Sequence, residues 1–173
     1  MKATLAVLNQ MQADGVIGAY AIGGAVGATF YLEPVATLDL DVFVLLKPAT
    51  GSVLLTLSSI YDYLKARGHR IEGEYVIVEG WPVQFLPPAG PLEEEAITQS
   101  VQVEVEGVSV SVMTAEHLVA IALATGRAKD FSRILQFIEA GALDTARLDA
   151  LLARHGLLAK WAGFGEKFLR DTP

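Results

Sequence analysis

Asp39 and Asp41 stand two residues apart in the stretch Thr37-Leu38-Asp39-Leu40-Asp41-Val42-Phe43-Val44. A β-strand alternates its faces, so a strand here puts both carboxylates on one side with Phe43 and Leu45. Leu40, Val42, Val44 and Leu46 take the other side. Two like charges side by side on an apolar strand repel, which raises one pKa unless a cation offsets them. Their Cα atoms would lie about 6–7 Å apart, and the side chains can converge on a hard divalent cation, Mg²⁺ or Mn²⁺, that prefers oxygen ligands. Fifteen residues before Asp39 stands the second residue of a glycine pair, Gly23-Gly24, behind the apolar Ala21-Ile22. A strand that ends in two glycines and opens into a helix lets backbone N–H groups approach an anion closely. A phosphate held there, beside a carboxylate-bound cation, suits phosphoryl or nucleotidyl transfer.

These residues need elements to position them. Leu5, Leu8 and Met11 predict a helix over 2–13, stopped by Gly15. A short buried strand over 19–22 leads into the glycine pair, and a helix over 25–32 ends at Glu33-Pro34. The strongest strand is 38–46, closed by Lys47-Pro48. An amphipathic helix follows over 52–67, with Gly68 behind its basic last turn. Strands at 75–78 and 83–86 join through Glu79-Gly80-Trp81-Pro82, and 101–105 and 108–112 join through Glu106-Gly107. A short helix covers 92–97. Thr114 caps a helix over 115–124, and helices follow over 128–139, 144–154 and 157–169. Residues 1–112 therefore read as a mixed α/β core and 113–173 as a helical segment packed on it, in one compact unit.

Composition limits the chemistry. The 173 residues contain no cysteine, which excludes thiolate metal sites, thiol catalysis and a disulfide scaffold. Thirteen basic and 20 acidic residues leave a net charge of −7, against a duplex-DNA binder that would carry a basic footprint. The charge is uneven: 14 of the acids precede residue 127, and eight of the basic residues follow residue 126. Residues 15–32 form an uncharged run of spanning length. Its five glycines and four alanines fit a strand, turn and short helix better than a membrane span. Polar residues interrupt the N-terminus too early for a signal peptide, so a cytoplasmic protein without a membrane role is expected. No two histidines have metal-ligand spacing, and no nucleophile motif such as G-x-S-x-G occurs.

The pattern Gly23-Gly24, short helix, then hydrophobic-Asp39-hydrophobic-Asp41-hydrophobic resembles the signature of the polymerase-β-type nucleotidyltransferase fold. Within it the sequence is most similar to the abortive-infection toxin nucleotidyltransferases of the AbiEii/AbiGii type, from bacterial toxin–antitoxin systems, and to their small relatives. The resemblance runs over about residues 18–135, through Val83-Gln84-Phe85-Leu86-Pro87, Glu116-His117-Leu118-Val119-Ala120 and Thr125-Gly126-Arg127-Ala128-Lys129-Asp130. It implies Mg²⁺-dependent transfer of a nucleoside monophosphate from an NTP to an acceptor hydroxyl on an RNA end, tRNA included, or on a protein, with an antitoxin as a further partner. It also implies that Asp39 and Asp41 hold metal, that Gly23 and Gly24 contact triphosphate, and that Lys129 steadies phosphate charge with Asp130 nearby. The residues alone leave Lys129 and Asp130 a second reading, as part of a solvated, salt-bridged helix face with Arg127 and Arg133.

Two positions depart from the pattern. The family's serine after the first glycine is Gly24 here. Its third carboxylate, on a later strand, is Gln84, which cannot serve as an anionic ligand or base. Three outcomes stay open: two aspartates suffice, another acid such as Glu79 substitutes, or the domain is a catalytically silent nucleotide sensor or protein-interaction module.

Overall fold

The computed structural model describes residues 1–33, 37, 39–47 and 56–169. The expectations at Pro34, Leu38, Pro48 and 52–55 lie outside them. The chain divides into two compact units, Met1–Met113 and Thr114–Pro173.

The first unit is built on a seven-stranded mixed sheet, ordered β3-β4-β5-β2-β1-β7-β6. In chain order the strands are β1 (Ile17–Ile22), β2 (Leu40–Leu46), β3 (Arg70–Glu72), β4 (Tyr75–Val78), β5 (Trp81–Leu86), β6 (Val101–Val105) and β7 (Val108–Val112). The helices are α1 (Lys2–Ala13), α2 (Gly24–Ala28), α3 (Ser58–Ala66) and α4 (Pro91–Thr98). The centre mixes directions: β2 runs antiparallel to β1 and parallel to β5, while β1 runs parallel to β7. Hairpins β3–β4–β5 and β6–β7 complete the two edges. This is the mixed α/β fold that the sequence predicts.

Alternation in β2 and β5 sorts the two faces of the sheet. Leu40, Val42, Val44, Val83 and Phe85 are buried with Leu5, Leu8 and Met11 of α1 and Ile60 and Leu64 of α3 in one apolar core. Burial of such side chains stabilises by about 1.5–3 kcal/mol each relative to exposure. Thr4 of α1 donates its buried hydroxyl to the Val78 carbonyl at 3.1 Å, so the helix is registered to β4 as well as packed on the core. The opposite face carries the half-buried Asp41, Phe43 and Gln84.

Three local differences have physical reasons. Helix α2 ends at Ala28 rather than at residue 32. It holds two glycines, poor helix formers, and Thr29 turns its hydroxyl back to the Val26 carbonyl at 2.7 Å. Strand β3 has no counterpart in the sequence expectations because all three of its residues are exposed, and an exposed edge strand needs no apolar alternation. Strand β2 begins at Leu40, so Asp39 stands one residue before it instead of within it.

The second unit is helical: α5 (Ala115–Thr125), α6 (Ala128–Glu139), α7 (Thr145–Arg154) and α8 (Leu158–Phe168). Helix α5 buries eight of its 11 residues and packs against the other three helices. Thr114 caps it by accepting the His117 N–H, and Gly126 ends it at φ 73°, a left-handed conformation that glycine adopts without steric cost. Glu116 Oε1 accepts the Asp144 N–H at 3.0 Å, tying α5 to the start of α7. Among the described residues no helix is long and apolar enough to cross a membrane.

Candidate active site

The strand pairing brings Gly23, Gly24 and Asp41 together. Ile22 pairs with Val42, and the ladder continues one residue further as Gly23 N–H donates to the Asp41 carbonyl at 3.0 Å. The chain then turns into α2 through Gly24 at φ 57°. A β-carbon on Gly24 would overlap the Asp41 carboxylate, and one on Gly23 would lie 2.7 Å from the Phe43 ring. Both glycines are thus required by close approach. The opening of α2 rests directly on the carboxylate, and even serine's β-carbon would not fit at Gly24.

Asp39 is half-buried and held by two hydroxyls. Thr37 Oγ1 donates to Asp39 Oδ1 at 3.1 Å, and the Tyr75 hydroxyl donates to Oδ2 at 3.4 Å. Among the described residues it has no cationic partner. Partial desolvation first, then the charges of Asp39 and Glu74, push the Tyr75 pKa above the ordinary tyrosine value. Tyr75 therefore remains a hydrogen-bond donor across the neutral range.

The position that matches the absent third carboxylate is beside Asp41. Asp41 pairs with Gln84 across the parallel β2–β5 ladder, so the amide shares the carboxylate's face. Gln84 Nε2 donates to Glu74 Oε2 at 2.9 Å. Glu79, the acid considered as a substitute, lies exposed in the β4–β5 turn at φ 51°. Glu74 and Tyr75 are the site neighbours that sequence reasoning missed. Their signal was present but faint: Val76 pairs with Val83, which sets Tyr75 beside Gln84, and an exposed acid precedes it.

Lys129 and Asp130 belong to the second unit, at the start of α6. Asp130 is 2% exposed. Its carboxylate accepts the Arg127 backbone N–H at 3.1 Å and the guanidinium at 2.8 and 3.2 Å. It caps the helix and is occupied by that work. Lys129 is exposed, with no hydrogen bond or ion pair among the described residues. His117 Nδ1 lies 2.9 Å from Thr114 Oγ1 inside the same unit, a buried cap contact.

Among the described residues, no group of three or more His, Asp or Glu side chains is placed to hold a metal. The oxygen donors here are two carboxylates two residues apart in the chain, Asp39 just before β2 and Asp41 within it. Their chemistry fits a hard divalent cation: oxygen donors only, and a glycine backbone lying against one carboxylate where a β-carbon would intrude.

The fold defines a structural class. It is the nucleotidyltransferase-like architecture, shared with an antigenic nucleotidyltransferase-like protein from Paracoccidioides brasiliensis at a TM-score of 0.55 and 14% identity, over 80% of this chain and 75% of that one. The antibiotic-resistance factor ANT(2'')-Ia in solution superposes at 0.54 and 13% identity, over 96% of each chain. Its crystal form with adenylyl-2''-tobramycin gives 0.53 and 12%, over 91% of this chain and 98% of that one. At such identities the likeness is one of fold. No protein-family model matches the sequence, and no curated protein matches it.

Proposed function

We propose that this protein is a nucleotidyltransferase that moves a nucleoside monophosphate from an NTP to an acceptor hydroxyl. The observation that carries the reading is Gly24 seated on Asp41, one ladder step from β1, with Asp39 two residues earlier in the chain. A bound Mg²⁺ or Mn²⁺ would supply charge neutralisation at the triphosphate, with Asp39 and Asp41 as its ligands. The Gly23 and Gly24 backbone would receive phosphate oxygens without side-chain obstruction. Thr37 and Tyr75 orient Asp39 through their hydroxyls. Glu74 is the carboxylate nearest the Gln84 position, and we assign it the acceptor's proton. The acceptor oxygen bonds to the α-phosphorus, its proton passes to Glu74, and the bond to pyrophosphate breaks. Lys129 is the cation proposed to steady triphosphate charge, while Asp130 sets the helix start that carries it. The acceptor is an RNA end or a protein hydroxyl, and the AbiEii-type motifs favour a toxin–antitoxin setting. A small-molecule hydroxyl, by analogy with adenylyl-2''-tobramycin on ANT(2'')-Ia, is the third acceptor class.

The test is transfer of α-labelled NTP to a tRNA pool, to the protein itself and to an aminoglycoside. Label appearing with wild type and metal, and absent with Asp41→Asn, supports transfer. Wild type that labels nothing beyond Asp39→Ala removes it. Gln84 in place of a carboxylate favours one second reading, a catalytically silent nucleotide sensor or interaction module. Calorimetry then shows Mg-NTP binding without turnover.

A further inference from the structure

The second unit holds a cavity of about 260 Å³ walled by Leu123, Phe131, Phe164 and Phe168, with Lys160 and Lys167 among its lining residues. The three phenyl rings tilt around one another with centroids 5.0–5.8 Å apart. Trp161 stacks on Phe164 at 5.5 Å and steadies that wall. Edge-to-face and tilted ring clusters of this kind offer favourable surfaces to another aromatic ring. The volume lies between the roughly 150 Å³ that hold a benzene and the roughly 300 Å³ at which drug-sized pockets begin. One or two fused rings would fill it.

A glycine borders the cavity. Gly163 lines it from the middle of α8, where glycine costs about 1 kcal/mol relative to alanine. A β-carbon built there meets no atom within 4 Å. Neither backbone conformation nor crowding requires glycine at this position, so the residue's structural consequence is the space itself.

The polar component is cationic. Lys160 Nζ donates to the Ala124 carbonyl at 2.9 Å, which fixes the ammonium at the C-terminal end of α5 and leaves it two further protons to donate. Lys167 Nζ lies 5.1 Å from the Phe168 ring centroid, so the second ammonium is held against the aromatic wall. An apolar, ring-lined cavity with two amines and, among the described residues, no lining acid matches a ligand with an aromatic body and one anionic group. We propose that this cavity binds a small aromatic anion, one or two rings bearing a carboxylate or phosphate. The lining residues all belong to the second unit.

Calorimetry on the full chain tests it with four probes: 2-naphthoate, 2-naphthyl phosphate, 2-naphthylmethylammonium and acetate. At least one of the two aromatic anions should bind saturably at one per chain, and comparing them separates carboxylate from phosphate. The aromatic cation should bind several-fold more weakly, and acetate, with no ring, not at all. Gly163→Leu should fill the cavity and weaken anion binding by about tenfold or more, roughly the effect of losing one buried side chain's worth of apolar contact. Its melting temperature should not fall, because leucine is the better helix former. Replacing Lys160 and Lys167 by methionine should weaken the anion by about two- to fivefold per lysine and bring anion and cation affinities together. The proposal is overturned if neither aromatic anion binds at millimolar concentration, if the cation binds equally well, or if a folded Gly163→Leu binds as wild type does. A concentration-dependent dimer that Gly163→Leu abolishes, without anion binding, would assign the cavity to a second copy of the chain and overturn it as well.

Discussion

Gly24 and Asp41 are the pair on which the candidate active site turns, and their contact makes opposite demands on the two residues. Gly24→Ala combines a left-handed backbone with a β-carbon in the space of the Asp41 carboxylate. We expect a loss of at least about 1 kcal/mol from the conformation alone, read as a lower melting temperature, together with weaker Mg-NTP binding. Asp41→Asn keeps the shape and removes the charge, so melting should be nearly unchanged while cation-dependent NTP binding is lost. Glu74→Gln discriminates further. Glu74 is exposed and accepts its hydrogen bond from Gln84, so transfer should fall by about 10²-fold or more, the usual scale of a lost general base. NTP affinity should stay within about twofold. Equal activity in Glu74→Gln would leave the two aspartates sufficient by themselves. Asp39, Asp41 and the two glycines were legible in the sequence because each signal is local: a two-residue spacing, a glycine pair. Glu74 and Tyr75 were not, because their place beside Gln84 depends on the register of the β4–β5 pairing and not on a local spacing.

At the level of elements, helix α6 begins at an ion pair between the exposed Arg127 and the buried Asp130. Asp130→Ala removes three hydrogen bonds from the α6 start, and caps of this kind are worth about 0.5–2 kcal/mol, so melting should drop by several degrees. Lys129→Ala, one residue earlier, should leave melting unchanged and weaken only the nucleotide. If Asp130→Ala instead melts as wild type and loses transfer, its carboxylate does chemistry rather than capping. The α1–β1 junction offers a pH test. Tyr20 donates its hydroxyl to Asn9 Oδ1 at 2.6 Å, and burial pushes its pKa up to about 12. Below the ordinary tyrosine value of 10 both states hold the proton, so the contribution is fully present there. Above it the unfolded chain ionises first, and stability falls as pH rises through about 12. Thermal melts from pH 9 to 12 should show this loss, and Tyr20→Phe should flatten it. Strong apolar segments such as β2, β5, α5 and α6 were readable from periodicity. Boundaries at α2 and β3 were not, since a back-bonded threonine ended the one and edge exposure hid the other.

Over the whole molecule, charge is uneven along the chain. The acid-rich first 126 residues carry the two aspartates, whose repulsion a divalent cation would offset, and the basic excess lies beyond. With a net charge of −7, duplex DNA should not be retained at physiological salt, where phosphate neutralisation by many basic groups supplies nearly all non-specific affinity. A filter-binding titration checks this. The fold was legible as mixed α/β because strands and helices alternate over the first 112 residues before helices take over. The strand order was not, since β2–β5 and β1–β7 are parallel pairs whose partners are far apart in sequence. The central claim is that Asp39, Asp41, Gly23 and Gly24 form one cation–triphosphate site. Its most direct measurement is calorimetric titration of Mg-NTP into wild type and Asp41→Asn. The account predicts saturable binding that requires the divalent cation and falls by about 10²-fold or more in a folded Asp41→Asn, the scale of removing a charged partner from a metal site. Absence of binding to wild type, or binding indifferent to the cation and to Asp41, would contradict it.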